Sequence, residues 1–335
     1  MASTIRAISP YRLSFAGGFT DLSEYYERYG GAVIESAIGT YARASIEPRQ
    51  DGRIIIKQAR LGIEEEGSIG NLHGIRDFYR VIIEHFSPGS GFELSMDTDT
   101  EYGSGLGSSS ASIVSIIGAF DGWLGTGMGK GEIAELAHKF ERTKLGIHLG
   151  KQDPYATSFG GLNYIEFSGA GVEVKRIGLG KSRLEHLGSM LMLVNTATPR
   201  PVESPLKTLV KLIAASDVHA LELMERMKGY AESIRDAIAS NRFEQVGQLV
   251  YNEWLNKRAL LDNISSKRID ALFKLSMENG ATGGKLLGIG GGGHMLLVLD
   301  PDKRDRLVGV LSKEKLRMIE PVLVTNGLTV SAEVD

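Results

Sequence analysis

The 335-residue chain carries 42% hydrophobic and 24% charged residues, enough apolar content for buried cores and a length suited to two domains. Its formal net charge of −3 gives no global attraction for nucleic acid or an anionic membrane, so the expected partner is a small molecule, with no nucleic acid and no membrane. The absence of cysteine excludes disulfides, thiolate nucleophiles and Cys-based zinc or iron–sulfur sites.

The opening segment, Met1-Ala2-Ser3-Thr4-Ile5-Arg6, lacks an apolar signal core. No stretch approaches the ~20 apolar residues needed to cross a bilayer, so a cytoplasmic location is the default expectation. In chain order, short strands are predicted at residues 4–9, 12–16, 32–38, 42–47, 53–58 and 91–97, separated by glycine turns. A helix follows over 109–124, where Ile113, Ile116, Ile117 and Phe120 recur at helical spacing, and a second over 131–143. Strands are then expected at 161–167, 172–177 and 189–194. Residues 205–279 read as amphipathic helices, among them 218–239 with Leu221, Met224, Met227 and Ile234 on one face. The tail returns to strands at 294–299, 319–324 and 328–333, with a helix at 303–312. Strands and helices in both halves predict an α+β fold in two domains, residues 1–185 and 186–335.

Glycine is the compositional outlier, with 42 residues gathered in clusters. The cluster Gly103-Ser104-Gly105-Leu106-Gly107-Ser108-Ser109-Ser110 opens the helix predicted at 109–124. Glycine there lets backbone N–H groups converge on an anion, while the helix points its positive end at the same place. A plain glycine turn is the alternative. The serines add hydroxyls that can cap the helix or ligate Mg²⁺. The cluster is not a Walker A loop, because it contains no lysine, and Lys130, Lys151 and Lys285, which each follow a glycine elsewhere, are not followed by Ser or Thr. A formal dinucleotide fingerprint at Gly288-Ile289-Gly290-Gly291-Gly292-Gly293 leads into the strand-like run starting at His294 instead of a helix, which argues against that reading. The seven histidines show no metal-site spacing.

Three segments, in this order and spacing, resemble the galactokinase, homoserine kinase, mevalonate kinase and phosphomevalonate kinase (GHMP) family. They are Pro10-Tyr11-Arg12 through Ala16-Gly17-Gly18-Phe19-Thr20-Asp21, then residues 103–110, then residues 288–293. The Ala-Gly-Gly-x-Thr-Asp run, Glu141-Arg142 and the stretch from Gly150 to Gly161 look most like the branch containing D-glycero-D-manno-heptose 7-phosphate kinases. The resemblance implies a two-domain GHMP kinase fold, with a ribosomal protein S5 domain 2-like N-terminal domain and a ferredoxin-like C-terminal domain. It implies ATP and Mg²⁺ as cofactors and phosphorylation of a small-molecule sugar or sugar phosphate, with heptose 7-phosphate as the first acceptor. Fucose, galactose or another hexose, mevalonate-type acids, and a non-catalytic sugar and nucleotide sensor are the alternatives, and a homodimer is left open. One departure stands out: Asp99-Thr100-Glu101-Tyr102 occupies the approach to the loop, where the family usually has proline.

Phosphoryl transfer needs an anion cradle, charge neutralisation, a proton acceptor and alignment of both substrates. By resemblance, Gly103 through Ser110 is the cradle and Asp153 the catalytic aspartate, with Arg12 holding it ionised. Ser109 and Glu141 are the implied Mg²⁺ ligands. Gly17, Gly18, Thr20, Asp21, Gly161, Gly290 and Gly291 are the implied acceptor-binding positions. A phosphorylated acceptor needs a basic clamp, for which Arg200 and Lys151 are the candidates. Without the resemblance, these residues read as turns, caps or solvated charges.

Overall fold

The computed structural model describes residues 3–100, 103–144, 150–198 and 205–333, so Glu101, Tyr102 and Arg200 lie outside the described residues. Strands β1 (Thr4–Ala16), β2 (Gly31–Arg49), β3 (Arg53–Gln58), β4 (Ile63–Ser68) and β5 (Gly91–Thr98) are interspersed with helices α1 (Ser23–Tyr29) and α2 (Asp77–Phe86). Helices α3 (Ser108–Leu124), α4 (Lys130–Lys139) and α5 (Gln152–Phe159) precede the hairpin β6 (Leu162–Ser168) and β7 (Gly171–Arg176). Helix α6 (Lys181–Ser189) and strand β8 (Leu191–Asn195) lead to α7 (Pro205–Ala214), α8 (Val218–Ala239), α9 (Val246–Leu260) and α10 (Lys267–Glu278). The chain closes with β9 (Ala281–Leu286), β10 (His294–Leu299), α11 (Arg304–Lys313), β11 (Met318–Ile319) and β12 (Thr329–Glu333).

Two sheets organise these elements. One has eight strands in the order β12-β1-β2-β5-β3-β4, with β6 also pairing β2 and β7 pairing β6; the other is antiparallel, β11-β8-β10-β9. The long strand β2 makes the branching possible: residues 31–36 pair with β6 and residues 42–49 with β5, while β1 runs along the other edge. The expected strands 4–9 and 12–16 are therefore one strand, as are 32–38 and 42–47. The apparent breaks at Pro10 and Gly39–Tyr41 are absorbed by a register shift between Pro10 and Tyr11, a bulge that tolerates the missing proline N–H.

Other expectations also shift. Residues 131–143 are α4 followed by a π-helical turn at Phe140–Lys144, and α1, α2, α5 and α6 form where no helix was expected. The strand expected at 319–324 shrinks to β11. Pro321 cannot donate to a ladder, and the chain instead crosses to the first sheet, with Gly39 N–H donating to Val322 O (2.8 Å) and Val324 N–H to Ala37 O (3.1 Å). It then ends as β12 beside β1.

One apolar core spans both sheets: Tyr11, Leu13 and Phe15 of β1 pack with Ala231, Ile234 and Ile238 of α8 and with Leu193 and Leu296 of the second sheet. A buried charge adds to this seam. Lys285 on β9 makes a 2.8 Å ion pair with Glu253 on α9, and its ammonium also donates to Phe15 O at 3.3 Å. Both side chains are at most 3% exposed. Removing one partner leaves a buried charge uncompensated, so Lys285→Met is expected to cost about 3–5 kcal/mol. Urea unfolding checks this.

Candidate active site

The glycine loop meets the first sheet at Arg12. Gly103, Gly105 and Gly107 have φ of +82°, +85° and +73°, a conformation that strains any residue bearing a Cβ. This winds the chain so that two carbonyls turn toward β1: Arg12 donates its backbone N–H to Leu106 O (3.0 Å) and its Nη1 to Gly105 O (2.7 Å). Gly107 starts the 17-residue helix α3, and no side chain caps it. The first-turn amides of Ser108, Ser109 and Ser110 therefore have no intrahelical acceptor and sit at the positive end of the dipole, an arrangement suited to an anion.

Arg12 also reaches the candidate proton acceptor. Its Nε and Nη2 lie 2.8 and 2.7 Å from Asp153 Oδ1, and the arginine side chain is 3% exposed against 16% for the aspartate. Both contacts fall on Oδ1, which leaves Oδ2 available to a ligand. Asp153 is the second residue of α5, where the helix dipole also favours a carboxylate. A second acid, Glu35 of β2, lies behind the arginine with Oε2 4.0 Å from Nε. Its carboxyl oxygens have no hydrogen-bond partner among the described residues. Burial pushes its pKa well above the usual carboxylate range, with Arg12 opposing. The close, hydrogen-bonded contacts of Arg12 are thus with Asp153, and Glu35 stands farther off at 4.0 Å.

An enclosed pocket opens beside this pair, lined among others by Arg12, Gly18, Asp21, Asp153, Lys257 and Gly288. Asp21 accepts from Phe19 N–H and Gln152 N–H, both at 3.0 Å, and from Gln152 Nε2 at 3.3 Å. Burial nonetheless raises its pKa to about 6, with Asp153 adding to the rise and the backbone bonds from Gln152 and Phe19 opposing it. It therefore both lines the pocket and ties the glycine turn to the start of α5. Gly150 permits this close approach, since a Cβ there would fall 1.9 Å from Asp21 Oδ2.

Several expected contact residues do other work. Thr20 is fully buried, donates from Oγ1 to Gly17 O (2.7 Å) and accepts Ala32 N–H (3.0 Å), so its hydroxyl closes the turn instead of facing a ligand. Gly17, at φ +88°, sits 2.0 Å from Ala32 O by its would-be Cβ and is part of the same closure. Gly161 gives its carbonyl to Ala37 N–H (2.9 Å). Gly290 packs on Ile264, and Gly291 donates its N–H to Ile264 O (2.9 Å), so Gly288 and Ile289 are the residues of that loop that line the pocket. Lys151 is held by Glu135 at 2.6 and 2.9 Å, so its charge already has a partner; Arg200 lies outside the described residues.

Of the oxygen pair expected from Ser109 and Glu141, the acid is hydrogen-bonded by the neighbouring serine. The hydroxyl that donates to Glu141 Oε1, at 2.6 Å, belongs to Ser110. Glu141 Oε2 is buried without a hydrogen-bond partner among the described residues, and burial raises the carboxyl pKa to about 8, with Ser110 and Arg12 opposing and Asp153 adding to the rise. An orphaned carboxylate oxygen beside hydroxyls at the loop is a donor set that fits a hard cation. No group of three acidic or histidine side chains among the described residues could hold such an ion alone, so phosphate oxygens and water would have to complete its shell.

Sequence reasoning missed Glu35, Gln152, Lys257 and Lys285. Glu35 and Lys285 carry a detectable signal, a charged residue within the otherwise uncharged strand runs Gly31–Ala42 and Ala281–Leu287. Gln152 and Lys257 carry none.

The family model described as GHMP kinases N terminal domain matches residues 74–161, and that described as GHMP kinases C terminal matches residues 234–316. The chain is 33% identical over 328 residues to the D-glycero-alpha-D-manno-heptose 7-phosphate kinase of Campylobacter jejuni, covering 93% of this chain and 94% of that one. Its fold is similar to the crystal structure of a D-glycero-D-manno-heptose 1-phosphate kinase from Bacteriodes thetaiotaomicron, with a TM-score of 0.80, 27% identity and 98% of each chain covered. A Lactococcus lactis galactokinase complexed with galactose shares the fold at a TM-score of 0.76 and 16% identity, over 97% of this chain and 95% of that one.

The geometry at Thr20 separates a structural from a binding role. Thr20→Val removes the hydroxyl at nearly constant shape and leaves Gly17 O and Ala32 N–H buried without it. A stability loss of about 1–3 kcal/mol is expected, measured by chemical denaturation.

Proposed function

This chain belongs to the GHMP kinase family, and on that premise we propose that it transfers the γ-phosphoryl group of ATP to a hydroxyl of a phosphorylated heptose. The observation that carries the proposal is Arg12, which binds Asp153 Oδ1 and Gly105 O together and so fixes the proton acceptor beside the anion cradle. The 33% identical relative supports the choice of acceptor, and the 27% identical structure carries a related name. Those names place the heptose phosphate at different ends, position 7 in one and position 1 in the other. We assign the 7-phosphate as acceptor and the anomeric hydroxyl as nucleophile, giving the 1,7-bisphosphate, because an anomeric hydroxyl gives up its proton more readily than the other sugar hydroxyls.

In the proposed reaction the acceptor hydroxyl donates a hydrogen bond to Asp153 Oδ2. As its oxygen bonds to the γ-phosphorus and the bond to the departing ADP oxygen breaks, its proton passes to Asp153. Arg12 holds Asp153 in place through Oδ1 and lies close enough to balance charge on the transferred group. The amides of Ser108, Ser109 and Ser110 hold phosphate oxygens at the start of α3, and the pocket wall at Gly18, Asp21 and Gly288 orients the sugar. Glu141 with the Ser109 and Ser110 hydroxyls would hold Mg²⁺, which when bound neutralises phosphate charge.

Purified protein incubated with ATP, Mg²⁺ and a panel of heptose 7-phosphate, fucose, galactose and mevalonate tests the assignment. Turnover confined to mevalonate would overturn it. Asp153→Asn keeps an oxygen for Arg12 and removes the proton acceptor, so kcat should fall by about 10²–10⁴ while ATP affinity, read by calorimetry, stays within about threefold. Unchanged turnover would remove Asp153 from the chemistry.

A further inference from the structure

With Lys151 bound to Glu135, the described pocket still contains one cation with no counter-ion, and it comes from the second half of the chain. Lys257 of α9 is 2% exposed and lines the pocket together with Arg12 and Asp21. Its Nζ donates to Gly288 O at 2.6 Å and lies 4.3 Å from the centroid of the Phe19 ring. Among the described residues it forms no ion pair, whereas the neighbouring cations do: Lys285 with Glu253 and Arg12 with Asp153. The negative charges near it are otherwise engaged, Glu253 by Lys285 and Asp21 by the Phe19 and Gln152 backbone amides.

 Phe19 and Gln152 each donate to the Asp21 carboxylate at 3.0 Å. A buried ammonium without a counter-ion is costly, and an anion supplied by a ligand relieves that cost.

We propose that Lys257 is the specificity-determining residue of this pocket, binding an anionic phosphate oxygen of the acceptor so that a sugar already bearing phosphate is preferred over the free sugar. The proposal rests on the kinase reading above and names the residue that chooses among its acceptors. The electrostatics of the empty pocket agree with it. Burial, then repulsion from Lys285 and Arg12, lowers the Lys257 pKa to about 7, with Glu253 and Asp21 opposing. These are the charged groups that face it from α9, β9, β1 and the turn after β1. Above pH 7 the amine is therefore mainly neutral in the free protein, and an arriving phosphate draws a proton back onto it.

The test compares kcat/KM for D-glycero-D-manno-heptose 7-phosphate and for the unphosphorylated heptose, in the wild type and in Lys257→Met. The wild type should prefer the phosphorylated sugar, and the variant should lose about 100-fold of that preference, mainly through KM for the sugar phosphate. Equal losses on both sugars would overturn the proposal, as would a wild type that phosphorylates both equally well, although the kinase reading would then survive. Should Lys257→Met fail to fold, calorimetry on the wild type at pH 7.5 supplies the second measurement. Titration with the sugar phosphate in buffers of different ionisation enthalpy should show uptake of about half a proton or more, and no uptake would overturn the proposal. Because this readout needs no turnover, uptake by a protein that phosphorylates no sugar would count against the kinase reading and for Lys257.

Discussion

The arrangement depends on one buried guanidinium. Arg12 holds two turns of the structure: the glycine loop, through Gly105 O and Leu106 O, and the start of α5, through Asp153 Oδ1. Taking an arginine out of water is unfavourable unless its donors are satisfied and its charge is matched. Here three side-chain contacts to two acceptors meet that requirement, with Glu35 behind it at 4.0 Å. The proposed anion cradle and proton acceptor are consequently held together by the same residue.

The second half of the chain completes the site from the other side. The loop after β9 lines the pocket with Gly288 and Ile289, and its far end is tied to the glycine loop, since His294 donates its N–H to Ser104 O at 3.0 Å. The Lys285–Glu253 pair joins α9 to β9, and Lys285 reaches Phe15 of β1. Because the apolar core also runs across both sheets, the pocket walls are held against each other by packing as well as by polar contacts.

Much of the site was legible in the sequence, though for unequal physical reasons. The glycine loop could be read because left-handed backbone at Gly103, Gly105 and Gly107 demands glycine in a recognisable spacing. The pairing of Arg12 with Asp153 came from resemblance; no local rule joins residues 141 positions apart. Helix α5 is hard to see in the sequence because Pro154 and the glycines on either side are turn-favouring letters, although proline is tolerated in a first helical turn. Thr20 was misread because a hydroxyl that closes a buried turn looks, as a letter, like one that faces a ligand. Lys257 was invisible for a related reason: it stands at i, i+4 spacing from Glu253, a pattern that ordinarily marks a solvated helix face, whereas here that face is turned inward. Merged strands β1 and β2 show the same limit, since a bulge at Pro10 is decided by the partner strand and not by the local sequence.

If Arg12 and Asp153 act as one unit, their contributions to catalysis cannot be independent. A double-mutant cycle on kcat/KM with Arg12→Met, Asp153→Asn and the combined variant measures this directly. The account predicts that the double variant falls within about threefold of the slower single variant, because either substitution already disables the pair. Losses that multiply across the two sites would contradict it and show that the two residues serve the reaction separately.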